Sequence, residues 1–280
     1  MDWLLALKAV ILGIVEGLTE FLPISSTGHL IVAESLLGFR IASLSVFTIA
    51  IQAAAIVAVC WEYRLRLLHL VRGLGVDPRE QRLALNVCVA FLPAAVLGVL
   101  FKRAIEVALF RPVPVALAWV TGAFVILWVE RAHAAKDYAP RVASMDEIGW
   151  VDALKIGCAQ CLALIPGTSR SGATIIGGLI FGLSRTAATQ FSFFLAIPTL
   201  IGATVYSLYK ARHQLSAAEM PLYGISSLFA FFAALVCVRW LLRYIATHDF
   251  RPFAWYRIVF GGLILLSATQ GWVQWNSGAG

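Results

Sequence analysis

Charged residues are scarce in this sequence, and that shortage limits the class of protein. They make up 13% of the 280 residues, while hydrophobic residues make up 60% and the mean hydropathy is +0.84. A soluble globular domain carries about 25% charged residues, so the composition excludes one. Six helical spans of roughly 20 residues each, with their connections, account for nearly the whole chain. We therefore predict an all-α integral membrane protein with a single membrane domain over residues 1–280.

Several motifs of common enzyme classes are missing as well. The sequence contains no Walker loop, no HExxH and no dinucleotide fingerprint. Cys158 and Cys161 form a CxxC, but no second pair of ligands accompanies them, so we interpret the five cysteines as small packing residues. The early residues Asp2, Lys8 and Glu16 do not fit a cleaved signal peptide.

The net charge of +7 does not indicate a nucleic-acid partner. The basic residues lie between apolar segments and form no continuous patch, which is typical of loops that set membrane topology. Loops 62–83, 131–154 and 239–255 contain eleven lysines and arginines, against five in the loops expected on the other side. The positive-inside rule puts the first set in the cytoplasm. Both termini are then predicted to face the periplasm or exterior.

Two apolar segments are broken by polar residues, and each is followed by three uninterrupted spans. The first broken segment covers residues 8–30 and contains Pro23, and the second covers residues 155–178 and contains the string PGTSRSG. The predicted spans are 42–61, 84–101, 112–129, 186–209, 220–238 and 256–273.

The two broken segments resemble each other, which indicates an internal duplication. Four positions match when the sequence is shifted by 144 residues, namely Gly13 with Gly157, Glu16 with Gln160, Ser25 with Ser169 and Gly28 with Gly172. An odd number of spans in each copy turns the second copy upside down, so two re-entrant hairpins would enter from opposite faces and meet near the midplane. We predict an inverted repeat, with repeat 1 over about 1–131 and repeat 2 over about 150–280.

The first broken segment carries two carboxylates at membrane depth. Glu16 and Glu20 are four residues apart, so a helix places them on one face, about 6 Å apart at Cβ. Two ionised carboxylates at that distance and away from water must share a proton or hold a cation. Mg²⁺ or Ca²⁺ suits such oxygen ligands. The alternative is a pair of structural glutamates that cap neighbouring helices.

A polar turn follows these glutamates. Ser26, Thr27 and Gly28 come just after the break, where hydroxyl and free N–H groups at a helix start can hold an anion. Ordinary N-capping, the alternative, needs only one such residue. Beside them, His29 is a candidate proton donor or nucleophile.

The second broken segment carries a positively charged side chain at membrane depth. Arg170 is costly at membrane depth unless it meets an anion, and its planar fork matches phosphate. The alternative is a structural ion pair with Glu16 or Glu20. Its polar neighbours are further candidates for phosphate binding: Thr168, Ser169, Ser171 and Gly172.

At these residues the chain resembles the undecaprenyl-diphosphate phosphatase family, also called bacitracin-resistance proteins. The family's (E/Q)xxxE motif matches Glu16 to Glu20 inside EGLTEFLPISSTGH, and its PGTSRSG motif matches residues 166–172 in full. The resemblance implies hydrolysis of the C55 lipid diphosphate to the monophosphate in the bacterial inner membrane, with a divalent cation and a site that opens to the periplasm. It also implies catalytic roles for Glu16, Glu20, Ser26, Thr27, His29, Ser169 and Arg170.

The expected mechanism leaves the nucleophile open. Glu16 and Glu20 would hold Mg²⁺ or Ca²⁺, and His29 would activate water or attack phosphorus itself. Ser26 is a less favoured nucleophile because it needs a base. The expected phosphate ligands are Ser26, Thr27, Thr168, Ser169, Arg170, Ser171 and Gly172.

The alternative function is an inverted-repeat transporter or lipid-phosphate flippase that binds the same lipid without cleaving it, because such repeats usually serve transport. In either case the partners are a long-chain prenyl diphosphate and the bilayer. Association of two copies into a homodimer is left open by the sequence.

Overall fold

The computed structural model describes residues 2–134, 139–213 and 216–271. Within these ranges the chain forms helices joined by short turns, because long apolar runs at membrane depth must satisfy their backbone polar groups internally. The α-helices are α1 (Trp3–Thr19), α2 (Ser26–Leu37), α3 (Leu44–Glu62), α4 (Arg64–Gly73), α5 (Pro78–Leu109), α6 (Pro112–His133), α7 (Trp150–Gln160), α8 (Arg170–Ile180), α9 (Arg185–Ala211), α10 (Met220–Tyr244) and α11 (Arg251–Gln270).

Six of these helices are long and apolar enough to cross a membrane: α3, α5, α6, α9, α10 and α11. Each contains most of one predicted span, so the prediction of an all-α integral membrane protein is confirmed. The last predicted span, 256–273, ends two residues beyond the described part of the chain. The helix that carries it begins earlier than predicted, at Arg251.

The region expected to be a basic loop, 62–83, is largely helical. It contains α4 and the first residues of α5. Arg66 of α4 joins the two helices, because its Nη1 lies 2.6 Å from Glu80 Oε2 of α5. Its Nη2 lies 2.8 Å from Asp146 Oδ1, in the connection between α6 and α7. Three of the basic residues, Arg64, Arg66 and Arg72, therefore lie on a short helix that packs back on the bundle, and Arg79 and Arg82 lie at the start of α5.

The two broken segments are helix–turn–helix units that run over residues 3–37 and 150–180, longer than the predicted 8–30 and 155–178. In the first, α1 ends at Thr19 and a turn containing Pro23 leads into α2. In the second, a 3₁₀ turn follows α7, and the chain reverses at Pro166 and Gly167, whose φ is +93°. We call these units hairpin 1 and hairpin 2.

The helix packing has the form that a duplication would produce. Helix α1 packs on α10 and α7 packs on α5, while α3 pairs with α9 and α6 with α11. A Cβ atom at Gly13 would lie 2.3 Å from the Ser226 carbonyl oxygen, and one at Gly157 would lie 2.4 Å from that of Ala90. These equivalent glycines thus allow α1 to approach α10, and α7 to approach α5, at the same short distance. This packing is the one expected of an inverted repeat. The division into repeat 1 and repeat 2 stays a prediction.

Candidate active site

The turns of the two hairpins contact each other. The Ser171 hydroxyl donates to the Leu22 carbonyl oxygen at 2.7 Å, and the Ser169 hydroxyl lies 3.3 Å from the same oxygen. The carbonyl is exposed to these donors because the turn leaves it outside any helix. The predicted meeting of the two polar turns is therefore present in the structure.

Each turn contains one serine in an uncommon backbone conformation. Ser25 has φ +71° and Ser169 has φ +72°, a region that favours glycine. Ser25 directly precedes α2, and Ser169 directly precedes α8. Only the Ser169 side chain caps its helix, by accepting a 3.0 Å hydrogen bond from the Gly172 N–H. Backbone strain kept at two equivalent positions is typical of functional sites.

Glu20 joins the two hairpins. Its Oε2 accepts a 2.6 Å hydrogen bond from the Ser26 hydroxyl, and its Oε1 lies 3.0 Å from Arg170 Nη2. Glu20 and Ser26 are buried, and only 11% of the Arg170 side chain is exposed. The structure therefore brings together three of the predicted catalytic residues, with the arginine paired to Glu20.

Arg170 keeps a donor for a further ligand. Its Nη1 lies 3.4 Å from the Ser192 carbonyl oxygen of α9, and its guanidinium lies over the Phe21 ring. Its Nε is buried and has no hydrogen-bond partner among the described residues. An unpaired N–H on a guanidinium fork suits an incoming phosphate oxygen.

Glu16 is the carboxylate most in need of a partner. Its side chain is fully buried, and neither carboxylate oxygen has a hydrogen-bond partner among the described residues, although Gln52 and Ser26 face it. Glu34 and Glu20 add negative charge nearby. A buried carboxylate whose oxygens make no close hydrogen bond is stable only with a proton or a cation. The residues therefore fit a hard cation with Glu16 as its first ligand, since both Glu20 oxygens are already engaged.

His29 lies in an aromatic pocket. Its Nδ1 is 2.8 Å from the Ser25 carbonyl oxygen, which can only accept, so Nδ1 carries the proton. Its Nε2 then accepts from the Tyr256 hydroxyl at 2.7 Å. The Phe260 ring stacks against it, and the Trp119 ring lies tilted beside it, with ring centroids 4.9 Å apart. No contact described for His29 reaches the predicted glutamates or Arg170.

The remaining predicted residues form the walls of the turns. Ser169 and Ser171 bond to each other as well as to Leu22, and the N–H of Gly172 is taken by Ser169. Thr27 and Thr168 are half-buried, and no hydrogen bond of their side chains is described. These groups hold the turns in place, and the two threonine hydroxyls are the ones available to a ligand.

Sequence reasoning missed Arg257. This arginine is 1% exposed and binds the backbone of both turns, through hydrogen bonds to the carbonyl oxygens of Pro23 and Thr168 at 3.1 Å each. The available signal was a charge inside the predicted span 256–273, since charges at that depth have a purpose.

The chain matches known proteins over nearly its whole length. Residues 9–263 match the family model described as bacitracin resistance protein BacA. The chain is 63% identical over 275 residues to the undecaprenyl-diphosphatase of Herminiimonas arsenicoxydans and 60% identical to those of Janthinobacterium sp. (strain Marseille) and Dechloromonas aromatica. Each match covers 98% of this chain and 99% of the relative. This chain belongs to the bacitracin resistance protein BacA family.

Proposed function

We propose that the site between the two hairpins is where this chain hydrolyses undecaprenyl diphosphate to undecaprenyl phosphate and inorganic phosphate. Relatives that share up to 63% of its residues are named undecaprenyl-diphosphatases. The observation that carries the assignment of the site is the buried contact of Ser26, Glu20 and Arg170 across the hairpins. The names of the relatives favour an enzyme over the transporter or flippase. A transporter or flippase also does not need a hydroxyl bonded to a carboxylate, as Ser26 is to Glu20.

A divalent cation, Mg²⁺ or Ca²⁺, is part of this proposal. Glu16 would hold it, with Glu20 at its edge, and substrate phosphate oxygens would complete its shell. When bound, it would neutralise charge on the diphosphate. The support is the buried Glu16 carboxylate, whose oxygens make no hydrogen bond among the described residues.

Ser26 is the nucleophile in the mechanism that we favour. Its hydroxyl already donates to Glu20 at 2.6 Å, so the base that a serine nucleophile needs is present. The Ser26 oxygen attacks the terminal phosphorus, its proton passes to Glu20, and the bond from that phosphorus to the bridging oxygen breaks. Undecaprenyl phosphate leaves and a phosphoserine remains.

Arg170 stabilises the charge of this step. Its guanidinium is fixed beside Glu20 and Phe21, so it can bind the oxygens of the transferring phosphoryl group without reorganising. Thr27, Thr168 and the hairpin 2 turn would line the same phosphate. The proton that Glu20 took from Ser26 passes to the departing undecaprenyl phosphate, so Glu20 is a free base again. It then takes a proton from the water that attacks the phosphoserine and returns this proton to the Ser26 oxygen as the bond between that oxygen and phosphorus breaks and inorganic phosphate leaves.

His29 has a supporting role in this proposal. Both of its ring nitrogens are engaged, by Ser25 and Tyr256, so neither is free to attack phosphorus. The hydrogen bond to the Ser25 carbonyl holds the turn from which Ser26 projects. A phosphohistidine would require His29 to break from Tyr256 first.

The first test is phosphate release from a long-chain prenyl diphosphate by purified protein in detergent, with and without EDTA. We expect release that EDTA abolishes and Mg²⁺ or Ca²⁺ restores. Acid quenching with substrate labelled at the terminal phosphate should trap label on Ser26, and Ser26→Ala should trap none. Turnover without label on the protein would mean that Glu20 activates water directly and that Ser26 only binds phosphate.

The orientation is also proposed. This bacterial, multi-pass membrane protein would open its site to the periplasm and have both termini there, as the distribution of lysine and arginine indicates. Cysteine labelling from each side of intact cells would test this at Cys variants of Ser216 and Asp77, expected outside and inside respectively. The homodimer stays a prediction, which crosslinking in native membranes can test.

A further inference from the structure

All the N–H groups of the Arg257 guanidinium donate hydrogen bonds to backbone carbonyl oxygens. Nε donates to Trp119 at 3.0 Å, Nη2 to Ala118 at 2.9 Å and to Gly167 at 3.3 Å. Nη1 donates to Pro23 and to Thr168 at 3.1 Å each. These bonds use the five N–H groups that an arginine offers. The side chain therefore joins hairpin 1, hairpin 2 and helix α6 at one point.

The carbonyl groups that it binds lie next to the catalytic residues. Pro23 is midway along the chain between Glu20 and Ser26, and Thr168 is two residues before Arg170. The contact between the hairpins described above depends on these two turns staying at a fixed separation. Arg257 Nη1 bridges the two turns directly.

The charge of Arg257 is unusual for a structural residue. The side chain is 1% exposed, and no carboxylate lies within ion-pair distance of it among the described residues. A buried cation without a counterion is costly even when its hydrogen bonds are made. A site that binds a diphosphate recovers part of that cost, because the substrate brings negative charge to the same turns.

We propose that Arg257 is a positioning residue for the hydrolysis. It fixes the turn of hairpin 1 against that of hairpin 2, so that Ser26 and Arg170 face the same phosphate, and its charge favours the anionic substrate. This proposal rests on the proposed location of the site between the hairpins. Arg257 touches no reacting atom, so its effect passes through the turns.

Three variants test this positioning. Arg257→Lys keeps the charge and loses the planar fork, while Arg257→Met removes both at similar size. Arg185→Met is the matched control, because Arg185 also ties a helix to α6, through the carboxylate of Glu130. The measurements are kcat and KM per folded molecule, with the folded fraction determined by size exclusion and thermal melting in detergent.

We expect Arg257→Met to lower kcat about 100-fold, the loss that a misplacement of about 1 Å can cause, and to raise KM. Arg257→Lys should recover part of the KM change through its charge and little of the kcat. Arg185→Met should lower the melting temperature and leave both constants per folded molecule within about twofold of wild type, as expected for a purely structural loss.

Unchanged kcat and KM in folded Arg257→Met would overturn the proposal. If that variant does not fold, Arg257→Lys decides, and wild-type kcat in it would equally overturn the proposal. An inactive wild-type protein would instead refute the hydrolysis itself. Full activity of Ser26→Ala and Arg170→Ala beside an impaired Arg257→Met would refute the proposed site.

Discussion

Hairpins 1 and 2 share a backbone and differ in chemistry. Their turn serines have the same positive φ, and their glycines pack in the same way on α10 and α5. Glu16, Glu20, Ser26 and His29 of hairpin 1 correspond by the same shift to Gln160, Leu164, Arg170 and Ala173 of hairpin 2. In the proposed mechanism, hairpin 1 therefore supplies the acids and the nucleophile, and hairpin 2 supplies the positively charged side chain. A symmetric scaffold can thus bind a reaction centre from two sides with opposite charges.

Glu16 and Gln160 are buried at equivalent positions of the two hairpins. The Oε1 of Gln160 lies 3.4 Å from the Thr199 hydroxyl, while the carboxylate oxygens of Glu16 make no hydrogen bond among the described residues. A neutral amide can remain buried with one weak bond, but a carboxylate there needs a proton or a cation. The same position is therefore structural in one hairpin and a candidate ligand in the other.

The largest effect is expected from removing the charge of hairpin 2. Arg170→Ala should lower kcat by about 10²- to 10³-fold, because it removes a preorganised donor to the transition state. Glu20→Gln should cost a similar factor, since it loses both the base and the ion pair. Phosphate release by folded protein measures both. Near-normal turnover in either variant would contradict the site assignment.

Making hairpin 1 resemble hairpin 2 should have the next largest effect. Glu16→Gln should fold, because Gln160 is tolerated at the equivalent position, and it should lose the activation of phosphate release by Mg²⁺ or Ca²⁺. The measurement is a cation titration after EDTA treatment. Glu62→Gln, which removes a carboxylate outside both hairpins, serves as the control and should keep the wild-type cation dependence. An unchanged titration of Glu16→Gln would exclude Glu16 as the ligand.

A smaller effect is expected at the aromatic pocket of His29. Tyr256→Phe removes one hydrogen bond to Nε2 and keeps the ring, so a loss of about fivefold is expected, in line with a net value of about 1 kcal/mol for one hydrogen bond. The initial rate of phosphate release measures it, with Tyr223→Phe, whose hydroxyl binds Glu219, as control. A loss as large as that of His29→Ala would show that the hydroxyl takes part in the chemistry.

The smallest effect separates the two turn serines. Ser25→Gly should keep activity and gain up to about 1 kcal/mol of stability, because glycine accepts a positive φ without strain and the Ser25 side chain makes no capping bond. Ser169→Gly relieves the same strain but loses its bonds to Leu22 and Gly172. Thermal melting compares the pair, and equal shifts would show that the Ser169 hydroxyl contributes nothing.

Composition and spacing were sufficient for the membrane class and the six spans, and they selected Glu20, Ser26 and Arg170, which the fold brings into contact. The physical reason is that apolar length sets which helices can span a bilayer, and polar groups within such lengths are too costly to lack a role. Helix bounds inside the basic region 62–83 were missed, because Leu67 and Leu70 of α4 pack on the core only once the bundle exists.

Only the tertiary structure decided which groups meet. Arg170 could have paired with Glu16 or Glu20, and the fold selects Glu20. His29 is turned to Tyr256, 227 residues away, and Arg257 reaches Pro23, 234 residues away. Sequence spacing fixes neighbours within one helix, by its 3.6-residue period. Contacts between helices depend on how all of them pack, which no local pattern of residues contains.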